Sequence, residues 1–212
     1  MHPVSVSLSA SMAKALRSII LGPISLLVMV VALAAAQQAT APVSHELLLQ
    51  LDPVRSGADI ALAGNLHTVR GTFLLKRGAI HFDPATGKAS GEIAFDAASG
   101  KTGNSSRDHK MHKDVIESER YPEIVFRPDR ADGELAASGP STLQVHGMFT
   151  IHGAEHEVTF PVEVTFSGSA WTAQASFQIP YVSWGMKNPS KLFLRVDDVV
   201  QVRFRASGST GP

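Results

Sequence analysis

The chain has 212 residues with 19 basic and 19 acidic side chains, so its formal net charge is zero. Nucleic-acid binding is excluded as a main function, because phosphate backbones select for a concentrated positive charge that this composition lacks. The chain contains no cysteine. Disulfides, thiolate catalysis and a lipid anchor attached through sulfur are therefore excluded as well.

Lys14 and Arg17 precede a largely apolar run that extends from residue 19 to residue 36 and ends in three alanines. This layout is typical of a secretory signal peptide cleaved after Ala36. An uncleaved membrane anchor is the alternative, since the run is almost long enough to span a bilayer. The early Gly22-Pro23 pair and the small residues at the end favour cleavage. We therefore expect a periplasmic or secreted protein with no permanent membrane anchor.

The organisation that follows is a signal peptide over residues 1–36, a flexible lead over 37–45, one domain over 46–206 and a tail over 207–212. Within the domain, apolar side chains recur at every second position of short segments, which is typical of strands with one dry face. Turn sequences such as Asp83-Pro84-Ala85-Thr86-Gly87 separate these segments. Eight or nine strands joined in this way fit either a closed antiparallel barrel or a two-layer sandwich.

One stretch breaks the alternation and predicts a short helix over residues 106–118, lying across one end of the β structure. Ser105 and Asp108 have the spacing of a capping box. Met111, Val115 and Ile116 share one helical face and form its apolar side. Beyond the helix the alternation returns, and its last segment predicts a long strand that begins near Leu192 and runs past Val200.

The inward positions of the predicted strands are rich in phenylalanine, which a packed core explains without any ligand. Small residues such as Gly71, Gly91 and Gly147 interleave with the large ones on the same faces. This mixture permits a hollow interior but does not require one, because small and large residues also alternate to fit the taper of a packed barrel.

The segment from Pro180 to Ser190 contains Trp184 and Met186 between two predicted strands. An apolar loop of this length acts either as a lid over a binding site or as a plug that closes the end of a barrel. Both roles need Trp184 to be largely buried.

Histidines offer a competing interpretation. His109 and His112 lie three residues apart on the predicted helix, and with Asp108 they could hold Zn²⁺ and activate water. The chain lacks a His-Glu-x-x-His run and a Gly-x-Ser-x-Gly elbow. We therefore assign no catalytic residue and no metal ligand, and keep a hydrolase or isomerase with a histidine or metal site near the helix as the alternative.

Three ordered motifs carry a resemblance to a known family: Ser99-Gly-Lys-Thr-Gly-Asn-x-x-Arg107-Asp108, Tyr121-Pro122-Glu-Ile-Val-Phe126 and Gly147-x-Phe149-x-Ile151-His152-Gly153. With these motifs the region from Leu51 to Phe204 resembles the polyisoprenoid-binding, YceI-like family. The chain departs from the family pattern at Arg55-Ser56, where a His-Ser pair is common. The resemblance implies an all-β fold, an antiparallel eight-stranded lipocalin-like barrel with a long apolar tunnel.

Under this interpretation the chain is a non-enzymatic binding protein, without a cofactor, for a polyisoprenoid or other long-chain amphiphilic lipid, and it could form a homodimer. Arg107, Lys110, Lys113 and the first N–H groups of the helix could hold an anionic head group. A solid barrel that acts as an interaction module remains a third possibility. The predicted lipid-binding residues are Phe73, Phe82, Ile93, Phe95, Phe126, Phe149, Val158, Phe160, Phe177, Trp184 and Met186.

Overall fold

The structure is a computed structural model that describes residues 46–136 and 139–211. The predicted signal peptide and the predicted lead both lie outside the described residues. Among those described, no helix has both the length and the apolar character needed to cross a membrane.

Within the described residues, nine antiparallel strands form a single sheet. They are β1 (Leu47–Leu51), β2 (Gly57–Leu62), β3 (Val69–Phe82), β4 (Ala89–Asp96), β5 (Glu123–Asp132), β6 (Gly139–Ile151), β7 (Ala154–Ser167), β8 (Ala170–Ile179) and β9 (Val200–Thr210). The last strand therefore continues past residue 206, where the predicted domain ends.

The sheet closes into a barrel because β3 pairs both with β2 on one side and with β4 on the other. Eight strands, β2 to β9, complete the ring. The extra strand β1 pairs with the far halves of β3 and β9, so β1 and β2 share one place in the ring. The predicted eight-stranded antiparallel barrel is confirmed, with one additional strand.

Strand direction gives the barrel two different ends. The helix end carries the β2–β3, β4–β5, β6–β7 and β8–β9 connections, and the β4–β5 connection contains the only α-helix of the described chain. The hairpin end carries the short β3–β4, β5–β6 and β7–β8 connections.

The helix differs in its bounds and its cap from the prediction. Helix α1 (Ser105–Lys110) continues as a wider π-helical turn (Met111–Val115) and ends before residue 118, since Glu117 adopts a left-handed φ of 51°. Asn104, not Ser105, is the N-cap, and its side chain accepts a hydrogen bond from the Arg107 N–H. The predicted capping box is wrong because Asp108 turns back to accept a hydrogen bond from the Thr102 N–H.

Alternate side chains of the strands fill the interior as the sequence predicts. On β7, Phe160 is buried whereas Glu163 is exposed. The main core cluster extends toward the helix end, and a smaller cluster of Phe82, Ala89, Ala131, Leu143 and Val164 lies at the hairpin end.

The prediction for the start of the last strand is wrong. Strand β9 begins at Val200, and Leu192 lies in a tight turn within the β8–β9 connection. Alternating apolar residues before Val200 imitate a strand, but Leu192 and Leu194 are exposed there.

Candidate ligand cavity

The barrel interior holds two cavities. The helix-end cavity has a volume of about 480 Å³, and the hairpin-end cavity has a volume of about 130 Å³. Ligand pockets usually measure roughly 300–1,000 Å³, and an engineered apolar cavity of about 150 Å³ admits one benzene. The helix-end cavity is therefore large enough for a ligand, while the hairpin-end cavity has room only for a small apolar group.

Four phenylalanines line both cavities and lie between them: Phe95, Phe149, Phe177 and Phe204. We call these four the aromatic belt. Phe95 meets Phe204 edge to face at 5.9 Å between ring centroids, and Phe149 meets Phe177 at 6.3 Å. The predicted continuous tunnel is thus divided in two, and a long chain would pass the belt only after these rings turn.

The hairpin-end cavity is lined entirely by apolar residue types, with Trp171 as the one side chain that carries a polar atom. Trp171 is 4% exposed, and its indole N–H has no hydrogen-bond partner in the described chain. A charged or strongly polar ligand group would therefore lose its hydration in this cavity without compensation.

The helix-end cavity combines apolar walls with a polar rim. Ile60, Phe73 and Val202 are among the side chains of its walls. The cavity reaches solvent, since exposed residues of three connections line it. The rim consists of His67, Thr102, Asn104, Ser106, Arg107, Lys110 and Lys191.

Arg107 is fixed at this rim by Thr102. Its Nε donates to the Thr102 hydroxyl oxygen at 2.7 Å, and a terminal nitrogen donates to the Thr102 carbonyl at 2.8 Å. Hydrogen bonds from Thr102 hold the pKa of Asp108 below its usual value, with a smaller contribution from the Arg107 charge. No carboxylate of the described residues lies within 4.0 Å of the Arg107 guanidinium. Its charge is thus held in place without a direct ion pair.

Lys110 is the second cation of the rim, and it reaches across to another connection. Its Nζ donates to the Pro189 carbonyl oxygen at 3.1 Å and so joins the helix to the β8–β9 connection. This hydrogen bond leaves two ammonium donors for other partners. The Asn104 cap occupies the Arg107 N–H, so the predicted head-group site depends on the two side chains and not on that backbone donor.

The β8–β9 connection packs on the cavity as a fixed wall. Met186 and Tyr181 are 4% and 5% exposed and line the helix-end cavity. Burial raises the pKa of Tyr181 to about 12, and its hydroxyl donates to the Asp197 carbonyl at 2.8 Å. Trp184 is only partly buried, which is less than the prediction required for either role, and its ring stacks on the His156 ring at 4.1 Å between centroids. These contacts favour the plug over the lid.

Most of the predicted lipid-binding residues do line a cavity. Phe82, Ile93, Phe126 and Phe160 line the hairpin-end cavity, Phe73 and Met186 line the helix-end cavity, and Phe95, Phe149 and Phe177 belong to the belt. Val158 and Trp184 line neither cavity and pack against the core instead.

Sequence reasoning missed Phe204 and Thr102. The alternation on β9 could have identified Phe204 as an inward residue. No sequence signal identifies Thr102 as the residue that fixes Arg107, because that role depends on how the chain turns before the helix.

Of the two histidines predicted near the helix, His112 is held by hydrogen bonds to the protein. His112 Nε2 contacts the Gly100 carbonyl at 2.8 Å, and its Nδ1 contacts the Ser118 hydroxyl at 3.2 Å. His109 is exposed. Over residues 46–136 and 139–211, no three His, Asp or Glu side chains converge as a metal site requires.

His146 lies on the outer face of β6 and is hydrogen-bonded on both sides. Asp129 at 2.7 Å and Glu157 at 2.8 Å bind its two ring nitrogens and raise its pKa. By contrast, burial lowers the pKa of His156 on the inner side of β7. Neither residue belongs to the rim of the helix-end cavity.

Comparison with solved structures identifies similar barrels at low sequence identity. BcnA of Burkholderia cenocepacia is 22% identical and aligns with a TM-score of 0.62 over 75% of this chain and 99% of its own. A polyisoprenoid binding domain from Saccharophagus degradans is 16% identical, with a TM-score of 0.60 over 77% and 98%. The Campylobacter jejuni YCEI protein is 18% identical, with a TM-score of 0.54 over 68% and 86%. These likenesses show the fold alone.

The sequence itself matches a family over most of its length. No curated protein matches the chain, but the sequence model of the YceI-like domain matches residues 49–207. This range contains every strand from β2 to β8, three of the five residues of β1 and eight of the eleven residues of β9. The chain therefore belongs to the YceI-like family.

Proposed function

We propose that the barrel binds a polyisoprenoid or a similar long-chain amphiphile, with the tail in the helix-end cavity and an anionic head at Arg107 and Lys110. The observation that carries this proposal is an apolar cavity of about 480 Å³ beneath a rim with two fixed cations. The similar barrel from Saccharophagus degradans is a polyisoprenoid binding domain, which supports the same ligand class here.

Chain length would supply most of the affinity. Each methylene group moved from water into the apolar cavity contributes about 0.8 kcal/mol, so ten of them contribute about 8 kcal/mol before the cost of immobilising the ligand. The head group adds orientation, because Arg107 is already held by Thr102 and loses little freedom on binding.

The role that fits such a site is carriage or storage of the lipid outside the cytoplasm, without chemical conversion. The cavity walls carry apolar side chains, and the rim residues bind charge and accept or donate hydrogen bonds. Within the part of the chain that the structure describes, no cluster at the rim favours the alternative of a metal-dependent hydrolase or isomerase.

The direct test is organic-solvent extraction of the purified protein followed by mass spectrometry, and titration with prenyl phosphates of defined length. We expect a co-purifying isoprenoid or long-chain lipid, or saturable binding of the added prenyl compounds. Absence of both would overturn the proposal.

Two substitutions on the same strand test whether the ligand occupies the helix-end cavity. Ala58 lines the helix-end cavity, whereas Ala61 on the same strand faces away from it. Ala58→Trp fills the cavity and should lower prenyl phosphate affinity at least tenfold, while Ala61→Trp should leave it unchanged. Equal effects of the two substitutions would place the ligand elsewhere.

A further inference from the structure

Large apolar side chains protrude beside the mouth of the helix-end cavity. Leu192, Phe193 and Leu66 are 91%, 89% and 71% exposed, and we call these three the mouth tip. The two connections that carry them are tied together, since the Asn65 side-chain amide donates to the Phe193 carbonyl at 2.8 Å. The Asn65 N–H also donates to the Arg195 carbonyl at 3.0 Å.

The backbone beneath the mouth tip is a tight turn that these residues do not favour. Lys191 and Leu194 exchange two backbone hydrogen bonds, so Leu192 and Phe193 occupy the two central positions. Leu192 has a φ of 35°, in the left-handed region where glycine or asparagine is usual. Folding alone therefore gives no reason for leucine and phenylalanine here, because they gain no burial and add strain.

Basic residues predominate on the two segments that carry the mouth tip. Residues 187–195 contain Lys187, Lys191 and Arg195, residues 63–70 contain Arg70, and neither segment contains an acidic residue, while Asp197 and Asp198 follow in the same connection. These four basic side chains are exposed. At the hairpin end, by contrast, residues 129–136 contain Asp129, Asp132 and Glu134 against Arg130 alone.

The mouth tip is continuous with the cavity itself. Leu194 and Lys191 flank it in sequence and line the helix-end cavity, and His67, which follows Leu66, lines the cavity too. A surface that covers the mouth tip would therefore also face the cavity entrance.

We propose that the mouth tip inserts into the interface of an anionic phospholipid bilayer, so that the cavity opens directly onto the membrane. Exposed aromatic and aliphatic side chains ringed by lysine and arginine are the combination that enters the headgroup region of such bilayers. This inference rests on the proposed function and gives it a route, because an amphiphile then passes between bilayer and barrel without crossing water.

A second copy of the chain fits this surface less well than a bilayer does. Three protruding side chains present on the order of 500 Å² if each contributes as much as a large aromatic side chain. Each partner of a standard protein interface buries about 800 Å². The like charges around the mouth tip would also repel in a symmetric pair, which brings the same patch against itself.

The test uses single-cysteine variants of the full chain, which has no native cysteine. Leu192→Cys carries an environment-sensitive fluorophore, and Val54→Cys is the control because Val54 is equally exposed, at 94%, in the β1–β2 connection. Local emission is the readout, since the apolar run near the N-terminus would add vesicle affinity to every variant.

We expect phosphatidylglycerol-containing vesicles to shift the emission at position 192 to the blue and to leave position 54 unchanged. Phosphatidylcholine vesicles should give a smaller shift, and Lys191→Gln should weaken the response about fivefold. Unchanged emission at position 192 would overturn the proposal, as would an equal shift at position 54 or a shift that appears on concentrating the protein without vesicles.

A second measurement separates this inference from the proposed function. Leu192→Ser/Phe193→Ser protein should bind a soluble short prenyl phosphate as wild type does, but should take up a vesicle-borne fluorescent prenyl lipid at least tenfold more slowly. Equal uptake by both proteins would overturn membrane docking and leave lipid binding intact. If the wild-type protein does not bind the soluble prenyl phosphate, the result would instead contradict the proposed function.

Discussion

The helix end of the barrel holds a cavity of about 480 Å³ beneath a polar rim, whereas the hairpin end holds one of about 130 Å³ with apolar walls. The same strands run through both ends, but different side chains of those strands line the two cavities. The long connections at the helix end contribute Arg107, Lys110 and Met186, while the short turns at the hairpin end let apolar side chains converge. The comparison shows that the connections supply the charged and polar groups at the rim of the helix-end cavity.

Removing part of the aromatic belt should abolish the separation between the helix-end and hairpin-end cavities. Phe95→Ala should destabilise the protein by about 3 to 4 kcal/mol, because it deletes a buried ring and joins the cavities. Denaturant unfolding measures this, with the exposed Phe193→Ala as a control expected within about 0.5 kcal/mol of wild type.

The milder Phe95→Leu variant should stay folded and accept longer prenyl chains than the wild type. An unchanged length preference would mean that the belt does not limit the ligand.

Neutralising the rim should remove the head-group chemistry of the helix end. Arg107→Gln should weaken binding of a prenyl phosphate about tenfold, since a charge-assisted hydrogen bond contributes roughly 1.5–3 kcal/mol. Binding of the corresponding uncharged prenyl alcohol should change little, and calorimetry measures both affinities.

Lys113→Gln is the matched control, because Lys113 is exposed on the same helical segment and does not line the cavity. An equal loss for the phosphate and the alcohol in Arg107→Gln would show that Arg107 only maintains the rim structure through Thr102.

Filling the hairpin-end cavity should stabilise the protein without changing ligand binding at the helix end. Ala131 is buried and lines the hairpin-end cavity, so Ala131→Val should raise the free energy of unfolding by about 1 kcal/mol. Affinity for a short prenyl phosphate should stay at the wild-type level. A loss of that affinity would contradict the assignment of the ligand to the helix end.

The smallest expected effect comes from ion pairs on the outside of the barrel. Hydrogen bonds from Arg77 and Lys76 lower the pKa of Glu123 from 4.5 to about 2. A lowered carboxyl pKa stabilises the fold above the ordinary pKa, and the stabilisation fades as pH falls from 4.5 toward 2.

Glu123→Gln should therefore lower the free energy of unfolding by less than about 1 kcal/mol at pH 7, because partly exposed ion pairs contribute little. Near pH 2 the substitution should leave the free energy of unfolding unchanged. Urea unfolding as a function of pH measures this difference. A loss of stability in Glu123→Gln that persists at pH 2 would show that Glu123 stabilises the fold through packing and not through its charge.

Much of the fold could be predicted from the sequence, because a period of two fixes which side chains face inward. The alternation of Phe160 and Glu163 on β7 is an example, and the three family motifs point to closure into a barrel. Residue spacing does not determine whether facing phenylalanines meet, however. The division of the interior by the ring contact between Phe95 and Phe204 therefore could not be predicted.

The structure of the connections was harder to predict, because residue spacing does not determine which hydrogen bonds form there. Asn104 and Ser105 are both good caps, and the hydrogen bond from Thr102 to Asp108 leaves the role to Asn104. Leu192 and Leu194 alternate like residues of a strand, and only the hydrogen bonds of the structure show that they belong to a turn.

The most direct test of the account is the affinity of the wild-type protein for prenyl phosphates of increasing chain length. We predict a rise of about fourfold for each added methylene equivalent, which flattens once the tail reaches the aromatic belt. Affinity that does not depend on chain length would contradict the claim that the tail occupies the helix-end cavity.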